Sequence, residues 1–370
     1  MQHLSQYPVF IQASFYVICI AFAGIIMSIA IMILFRFAWR RFRKRERYYT
    51  NLIENLLVNE VVVNEQLRAG TAVEQISMQL TSFQVLPLHK KWCRHLLVQR
   101  IIYYRSILSG STAALLRKLY VDLGLYRQAM QLLKSSSPHN IVSALNELGS
   151  MDMPLDKDLL LGLASHANRD VMEVARCSCV RLLNNPFCFF ETVNAAILPW
   201  EKLELLRLVS LRNDITVPAF AHWISRRYHR DVILFSMRAA AWYQQFDAIP
   251  LLLEMVHSDD LLLKTDAINA LGKLMAEEAE QPLISIYAAQ SAPIKLEILK
   301  ALGRIGSGHC LAFLEQEFEQ SDDFEVRKNS ARSIVRHKAL AKGLIRHLTD
   351  DTSGLSHLIM LHNNNPLIRN

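Results

Sequence analysis

The sequence lacks the short motifs that mark the commonest catalytic sites. No Gly-x-x-x-x-Gly-Lys-Ser/Thr, no His-Glu-x-x-His and no Gly-x-Ser-x-Gly occurs in its 370 residues. These patterns place phosphates on a glycine-rich loop, zinc between two helical histidines, or a serine nucleophile on a sharp turn. Their absence removes the commonest phosphate, zinc and acyl-transfer interpretations. We therefore expect a protein that is not an enzyme and that carries no cofactor.

Cysteine is scarce and follows no framework. The six cysteines are spread over the chain without the spacing of a secreted disulfide scaffold, so we predict reduced thiols and no disulfide. Cys177 and Cys179 are separated by one residue, whereas structural zinc sites use a wider gap and a second matching pair. We predict no metal site.

Charge is absent from a long N-terminal stretch. Residues 9–35 contain no Asp, Glu, Lys or Arg. A helix of that length, at about 1.5 Å per residue, exceeds the roughly 30 Å of bilayer hydrocarbon, so we predict a transmembrane helix over 9–35. A cleaved signal peptide is the alternative. It would carry basic residues before its apolar core, and residues 1–8 have neither Lys nor Arg.

Basic residues follow the apolar run directly. We predict that residues 36–50 form a juxtamembrane segment whose side chains contact lipid headgroups, namely Arg36, Trp39, Arg40, Arg41, Arg43, Lys44, Arg45 and Arg47. With Glu46, this segment contributes +6 of the formal net charge of +7, so the basic pI is no evidence for a nucleic-acid binder. We predict that the cluster sets membrane orientation, and a second, compatible hypothesis is that it also recruits anionic lipids.

The charge asymmetry predicts the location of each end. Basic flanks stay in the cytoplasm, so we expect a single-pass protein of the cell (inner) membrane. Residues 1–8 would form an extracytoplasmic N-terminus, and the rest of the chain would lie in the cytoplasm. Gly24 and Ser28 are four residues apart in the apolar run and would allow a partner helix to approach closely.

Residues 51–135 are predicted to form a helical linker region. Apolar residues recur near helical spacing over 51–67, and we expect a second helix over 71–80. Residues 89–108 form a basic amphipathic helix, which fits a solvated face of a packed helix, with contact to the inner leaflet or to nucleic acid as alternatives. Residues 112–134 are expected to form one helix or a helix pair bent at Gly124.

Five prolines recur with one period of 32 residues: Pro154, Pro186, Pro218, Pro250 and Pro282. Proline is suited to the first turn of a helix, because its missing N–H would be unpaired there anyway. A fixed period of this length indicates stacked helical units. We predict an all-α chain with an α-solenoid over residues 136–350 and a C-terminal tail over 351–370.

The clearest units share acidic residues at a turn and a cation soon after. They read Asp259-Asp260 with Lys264 and Asp322-Asp323 with Arg327, and small residues follow at Ala267, Ala270 and Ala301. At these positions the chain resembles HEAT-repeat proteins, including the short HEAT-like repeats of phycobiliprotein lyases. The resemblance covers about residues 136–350 and is strongest from Pro250. It implies pairs of antiparallel helices and no activity of its own.

These features favour a membrane-anchored HEAT-like scaffold or adaptor that binds a protein partner on the cytoplasmic side. A membrane-associated enzyme such as a glycosyltransferase is a candidate partner in bacterial proteins of this kind. Trp223, Arg226, Arg227 and Arg230 form a candidate partner surface, with a surface turn that binds nothing as its alternative. An enzyme or enzyme accessory subunit of lyase-like type is one rival function, and would be favoured by a pocket of convergent polar groups. A binder of nucleic acid or anionic lipid is the other, and we do not expect nucleic acid to be the partner.

The small residues of the apolar run give a first prediction. Replacing both Gly24 and Ser28 by Leu would remove the close-approach face and release a partner helix, because bulky side chains separate the two backbones. The measurement is co-purification from detergent-solubilised membranes. An unchanged set of partners with the double variant would dismiss helix pairing at this face.

Overall fold

Helices form every regular element in the described part of the chain. The computed structural model describes residues 9–68, 70–350, 354–365 and 367, so the expected extracytoplasmic segment 1–8 lies outside it. In chain order the helices are α1 (Val9–Leu57), α2 (Glu65–Arg68), α3 (Lys91–Ile107), α4 (Gly110–Asp122), α5 (Leu125–Leu133), α6 (Pro138–Ser150), α7 (Lys157–Ala164), α8 (Arg169–Leu182), α9 (Pro199–Ser210), α10 (Arg230–Trp242), α11 (Ile249–Met255), α12 (Leu261–Lys273), α13 (Glu280–Tyr287), α14 (Ala292–Ile305), α15 (Leu311–Gln320), α16 (Phe324–Arg336), α17 (Lys342–Asp350) and α18 (Leu355–Asn364). The all-α prediction is confirmed over these residues.

The chain divides into two compact units, Met1–Met153 and Pro154–Asn370. In the first unit, α1 is the longest element. Its 49 residues correspond to about 73 Å of helix. Within the described residues, the helical stretch Ile20–Leu67 is long and apolar enough to cross a membrane, and no residue of its most apolar part is buried in the protein.

The same helix continues into the core of the first unit. Ile53 and Leu57, near its C-terminal end, are fully buried, and a π-helical turn over Val58–Val62 buries Val61. This end of α1 contacts α3, which in turn contacts α4 and α6. Helix α1 therefore runs without interruption from its exposed apolar part into the folded core of this unit.

The expected helix over 71–80 is wrong. Only Val73–Gln75 forms a short 3₁₀ turn there. The Lys118 ammonium group donates to the backbone carbonyls of Val73, Glu74 and Ile76 at 3.1, 2.9 and 2.6 Å. An α-helix would use those carbonyls for its own hydrogen bonds, so the lysine holds the segment in an open conformation. Gly124, with φ of 72°, separates α4 from α5, which confirms the helix pair.

The second unit consists of helical pairs in a row. The second helix of each pair begins 30 to 32 residues after the second helix of the preceding pair. These second helices are α8, α9, α10, α12, α14, α16 and α18, which begin at 169, 199, 230, 261, 292, 324 and 355. Consecutive second helices contact each other from α10 to α18, as do α8 and α9. Left-handed residues end four of these helices at the same spacing, at Gln244, Met275, Gly306 and Lys338. The predicted repeat-like helical organisation is therefore present.

The proline prediction holds for only part of the series. Pro250 and Pro282 lie in the first turns of α11 and α13. Pro186 and Pro218 instead precede the short 3₁₀ segments Cys188–Thr192 and Phe220–Trp223. Two features explain the difference. Large rings, including Phe187, Phe190 and Phe235, fill the space between these segments and α10, and one side chain binds the backbone that follows Pro218.

That side chain is Gln245. Its amide oxygen accepts from the Phe220 N–H at 2.8 Å, and its amide nitrogen donates to the Pro218 carbonyl at 2.7 Å. The bond to Pro218 occupies a carbonyl that a helix beginning there would need as an acceptor in its own first turn. The segment after Pro218 therefore stays short.

A buried ion pair joins α8 to α9. Arg176 and Glu201 are 1% and 0% exposed, and their charged groups are 3.2 Å apart. Burial raises the pKa of Glu201, and the adjacent Arg176 guanidinium acts in the opposite direction. Removing one partner of such a pair typically costs about 3–5 kcal/mol, because the other charge is then buried alone.

Small residues set the separation of the second helices. A methyl group at Gly272 of α12 would lie 2.7 Å from the Ala301 Cα of α14. One repeat later, a methyl group at Gly303 would lie 2.7 Å from the Ser333 Cα of α16. Both contacts are with backbone atoms, which are unable to rotate away. The Ser333 hydroxyl donates to the Leu299 carbonyl at 2.7 Å across the same contact.

The close contact at Gly303 predicts that replacement of glycine by alanine has opposite effects there and at a second helical glycine, Gly162. Gly303→Ala should destabilise the second unit by about 1–3 kcal/mol, because α14 and α16 must separate. The matched control is Gly162→Ala in α7, where a methyl group would meet no described atom within 4 Å. It should stabilise by up to about 1 kcal/mol, the helix-propensity difference between the two residues. Thermal melting of the full chain in detergent measures both changes, and equal melting temperatures for the two variants would contradict this packing.

Candidate functional site

The predicted headgroup residues lie on α1, immediately after its apolar part. Arg36, Trp39, Arg40, Arg41, Arg43, Lys44, Arg45 and Arg47 are all exposed. The Arg43 guanidinium lies 3.5 Å from the Trp39 ring centroid, and that of Arg45 lies 4.6 Å from the Trp92 ring on α3. Tyr49 also packs edge-on against Trp92, with ring centroids 5.1 Å apart. The C-terminal part of the basic segment is thus fixed against α3, whereas the rest faces outward.

The predicted helix-pairing face is open. A methyl group built at Gly24 meets no described atom within 4 Å. The Ser28 hydroxyl donates to the Gly24 carbonyl at 2.8 Å within the helix. That internal bond satisfies the hydroxyl, so the face is compatible with an apolar surrounding.

Trp223 does not belong to the candidate partner surface. It is only 5% exposed and packs against Phe187, Phe190 and Phe220, with ring centroids 6.0, 5.3 and 6.0 Å away. The sequence pattern placed an aromatic residue beside arginines. In the structure the tryptophan instead belongs to the cluster of buried rings that packs beside the short 3₁₀ segments. Its ring is therefore unavailable to stack on a ligand.

The three arginines of that cluster remain at the surface. Arg226 and Arg227 are exposed, and Arg230 forms an ion pair with Asp260 at 2.5 Å. Arg226 and Arg230 line a shallow depression of about 260 Å³ beside Asp259 and Asp260. Because this depression mixes both charge signs, it has no strong preference for an anion or a cation.

A larger groove, which the sequence analysis missed, lies on the second helices α14, α16 and α18. Its volume is about 520 Å³. Five cations line it, together with one carboxylate, two amides, a histidine and two apolar side chains: Lys300, Lys328, Arg332, Arg336, Lys338, Glu325, Asn329, Asn363, His362, Leu296 and Val335. We refer to this feature as the basic groove.

Partial pairing leaves the basic groove positive. Lys328 contacts Glu325 at 3.1 Å, and Lys300 contacts Glu297 of its own helix at 3.4 Å. Burial lowers the pKa of Arg336, and the positive charges of Arg332 and Arg304 lower it further. Like charges therefore crowd one another at α16, so an anion placed in the groove would be favoured.

A sequence signal for the basic groove exists in retrospect. Lys328, Arg332 and Arg336 are spaced four residues apart and so share one face of α16. Lys300 and Arg304 repeat that spacing on α14. The pattern is common on solvated helices, however, and only the contact between α14 and α16 combines the two faces.

Comparison with known proteins finds similar structures but no similar sequence. No protein-family model matches the chain, and no curated protein matches it in sequence. Similar solved structures include human deoxyhypusine hydroxylase in complex with glycerol, at 16% identity, with 66% of this chain and 91% of that chain covered and a TM-score of 0.30. An engineered protein has 14% identity, coverage of 59% and 96%, and a TM-score of 0.29.

A third similar structure concerns tubulin recruitment and assembly by microtubule polymerases with TOG domain arrays. It has 11% identity, coverage of 74% of this chain and 73% of that chain, and a TM-score of 0.25. HEAT-repeat-like helical proteins are thus among the neighbours. Because the TM-scores are low, nothing about function follows from these neighbours.

His337 lies between the groove residues Arg336 and Lys338 but points into the core, where it is 3% exposed. Its Nδ1 accepts from the Gly308 N–H at 3.1 Å, and its Nε2 lies 3.6 Å from the Cys310 sulfur. Burial lowers the pKa of this imidazole below its usual 6.5. The folded state therefore holds His337 neutral at a pH where the unfolded chain already binds a proton.

His337 should make the second unit sensitive to acid. Its contribution to stability is present above about pH 6.5 and is lost as the pH falls below that value, because the unfolded state then takes up the proton. His337→Asn keeps an acceptor near the Nδ1 position and removes the titration. Hydrogen-exchange protection of α16 in the full chain, compared at neutral and mildly acidic pH, should fall less in the variant. An identical fall in both proteins would contradict the assignment.

Proposed function

We propose that this chain is a single-pass membrane protein whose helical repeats act as a non-enzymatic scaffold for a protein partner on the cytoplasmic side. The observation that carries the proposal is a long helix whose apolar part is exposed over residues 20–37 and that continues without a break into a folded unit. A repeat region then follows, with a charged groove on its surface.

Membrane insertion is supported by the exposure of apolar side chains on α1. Ile25, Ile29 and Met32 are 57%, 51% and 66% exposed, and many neighbours are similar. In water this surface would be unfavourable, whereas in hydrocarbon the helix satisfies its own backbone hydrogen bonds. The bulky residues Phe35 and Phe37 follow the apolar run, where a cleaved signal peptide has small ones. The uninterrupted helix therefore favours a permanent anchor.

Orientation is supported by the basic segment alone. Seven cations follow the apolar stretch within 12 residues, and positive flanks remain on the cytoplasmic side. With that orientation, both folded units would face the cytoplasm. A membrane-associated enzyme such as a glycosyltransferase would then be held beside the repeats at the bilayer surface.

A pocket of convergent polar groups would favour the rival function, that of an enzyme or enzyme accessory subunit. The basic groove is such a pocket, but its chemistry is that of binding. Its one carboxylate, Glu325, contacts Lys328, and the other charged groups are cations. Within the described side chains there is also no cluster of three or more metal-binding residues. The groove therefore supports capture of an anionic partner more directly than a reaction.

Charges placed in the apolar helix test the anchor. Ile25→Lys, Ile29→Lys and Met32→Lys together should release the protein from membranes, because each lysine near the bilayer centre costs about 2.5–3.5 kcal/mol. The matched control introduces lysine at three exposed apolar positions of the second unit, Leu203, Leu211 and Leu262. Alkaline carbonate extraction should solubilise only the first variant.

Two further measurements complete this test. Protease added outside intact spheroplasts should leave the repeats uncut if they face the cytoplasm. Affinity purification from detergent-solubilised membranes should recover a stoichiometric companion protein. Extraction of the wild-type protein by carbonate would refute the anchor, and a protein recovered alone would refute the scaffold.

A further inference from the structure

We propose that the basic groove binds an acidic peptide segment of the partner in an extended conformation, with carboxylates on alternate residues. This inference deepens the proposed scaffold function and rests on it for the existence of a partner. It concerns only the second unit and does not depend on the membrane anchor.

The first support is the charge of the groove. Five cations and one carboxylate line it, and the carboxylate is already in contact with Lys328. Glu297, which contacts the groove residue Lys300, is shared among Asn269, Lys300 and Arg304 at 2.6, 3.4 and 3.1 Å. Carboxylates from a ligand would complete the neutralisation and relieve the crowding at Arg336. Arginine also offers paired donors that match a carboxylate.

The second support is the spacing of the cations along α16. Lys328, Arg332 and Arg336 follow one another every four residues, which is about 6 Å along a helix. Alternate side chains of an extended peptide lie on one face about 6.6–6.8 Å apart. A Glu-x-Glu-x-Glu segment running along α16 would therefore place one carboxylate near each cation. A free phosphate has no such repeat to match.

The third support is the character of the remaining lining. Asn329 and Asn363 each donate an amide N–H to the carbonyl four residues earlier, at 2.8 and 2.9 Å, which fixes their orientation. Such amides suit the backbone of a peptide, because their oxygens accept from peptide N–H groups. Leu296 and Val335 add apolar contact. The groove lining contains no Phe, Tyr or Trp and only one ring, the imidazole of His362, so it lacks the row of aromatic side chains on which successive bases of a single-stranded nucleic acid stack.

The volume agrees with a short segment. About 520 Å³ lies within the range of about 300–1,000 Å³ that is typical of pockets for small ligands. A few peptide residues fit, whereas a folded surface would not enter. Besides α16, the helices α14 and α18 contribute side chains to the groove, so a chain lying along α16 would contact all three helices.

Fluorescence anisotropy with a labelled synthetic peptide tests the inference on the full-length chain in detergent. The probe alternates Glu and Ser, and a second probe contains the same residues in separate blocks. We expect the alternating probe to bind more tightly, and its affinity to fall steeply with salt. Equal binding of both probes would overturn the geometric match.

Three charge-reversed variants identify the surface. Lys328→Glu with Arg336→Glu should weaken binding by about tenfold or more, as expected for loss of close charge pairs. Arg226→Glu with Arg227→Glu makes the same change in net charge at the other basic surface and should have little effect. Lys338→Glu alone, at an exposed residue beyond α16, should weaken binding without affecting folding. Loss of binding only in the Arg226 and Arg227 variant would overturn the groove assignment.

Competitors identify the source of the anion. Sodium phosphate at matched ionic strength, or phosphatidylglycerol vesicles, should displace the alternating peptide no better than chloride does. Displacement at low phosphate, or binding to vesicles alone, would overturn the proposal in favour of a phosphate or headgroup site.

The partner capture assay separates this inference from the scaffold function. If the Lys328 and Arg336 variant still recovers the companion protein from membranes, the groove inference fails and the scaffold remains. If no companion is found but the alternating peptide binds the groove as expected, the groove inference is supported and the scaffold fails.

Discussion

The close approach of consecutive second helices is the constraint on which the second unit depends. At Gly272 and Gly303, helix backbones meet so closely that a single methyl group would collide with the Cα of the next helix. Interiors are packed as densely as organic crystals, so such a contact is unable to relax without moving a whole helix. The same contact holds α14 beside α16, and their outward faces then share one groove. The packing of the buried faces of α14 and α16 therefore determines which charged side chains lie together on their exposed faces.

The basic groove is electrostatically costly for the protein alone. Burial lowers the pKa of Arg336, and the positive charges of Arg332 on α16 and Arg304 on α14 lower it further, so these charges oppose one another. Glu297 and Glu325 offset part of this repulsion through contacts of 3.1 to 3.4 Å. A surface that is strained by its own charge gains more from an anion than a neutral surface does. Such a groove fits a binding role better than a purely structural one.

The apolar helix is continuous with the folded part of the first unit. α1 has no flexible joint between its apolar part and the buried residues Ile53 and Leu57. The stacking of Arg45 and Tyr49 on Trp92 fixes the basic segment against α3. Any force or orientation imposed on the apolar part is therefore transmitted directly to the first unit. A tether of Gly and Ser would have left the unit free to rotate.

The sequence by itself determined the helical class, the approximate repeat period and the long apolar helix, because each depends on the local spacing of apolar residues, small residues and charges. It did not determine that Trp223 is buried, that Pro186 and Pro218 lead to 3₁₀ segments, or that residues 71–80 stay open. Those outcomes depend on Phe235, Gln245 and Lys118, which are distant in the chain. The basic groove likewise needed tertiary structure: its cations lie on α14 and α16, some 30 residues apart, and only the packing of these helices brings them together.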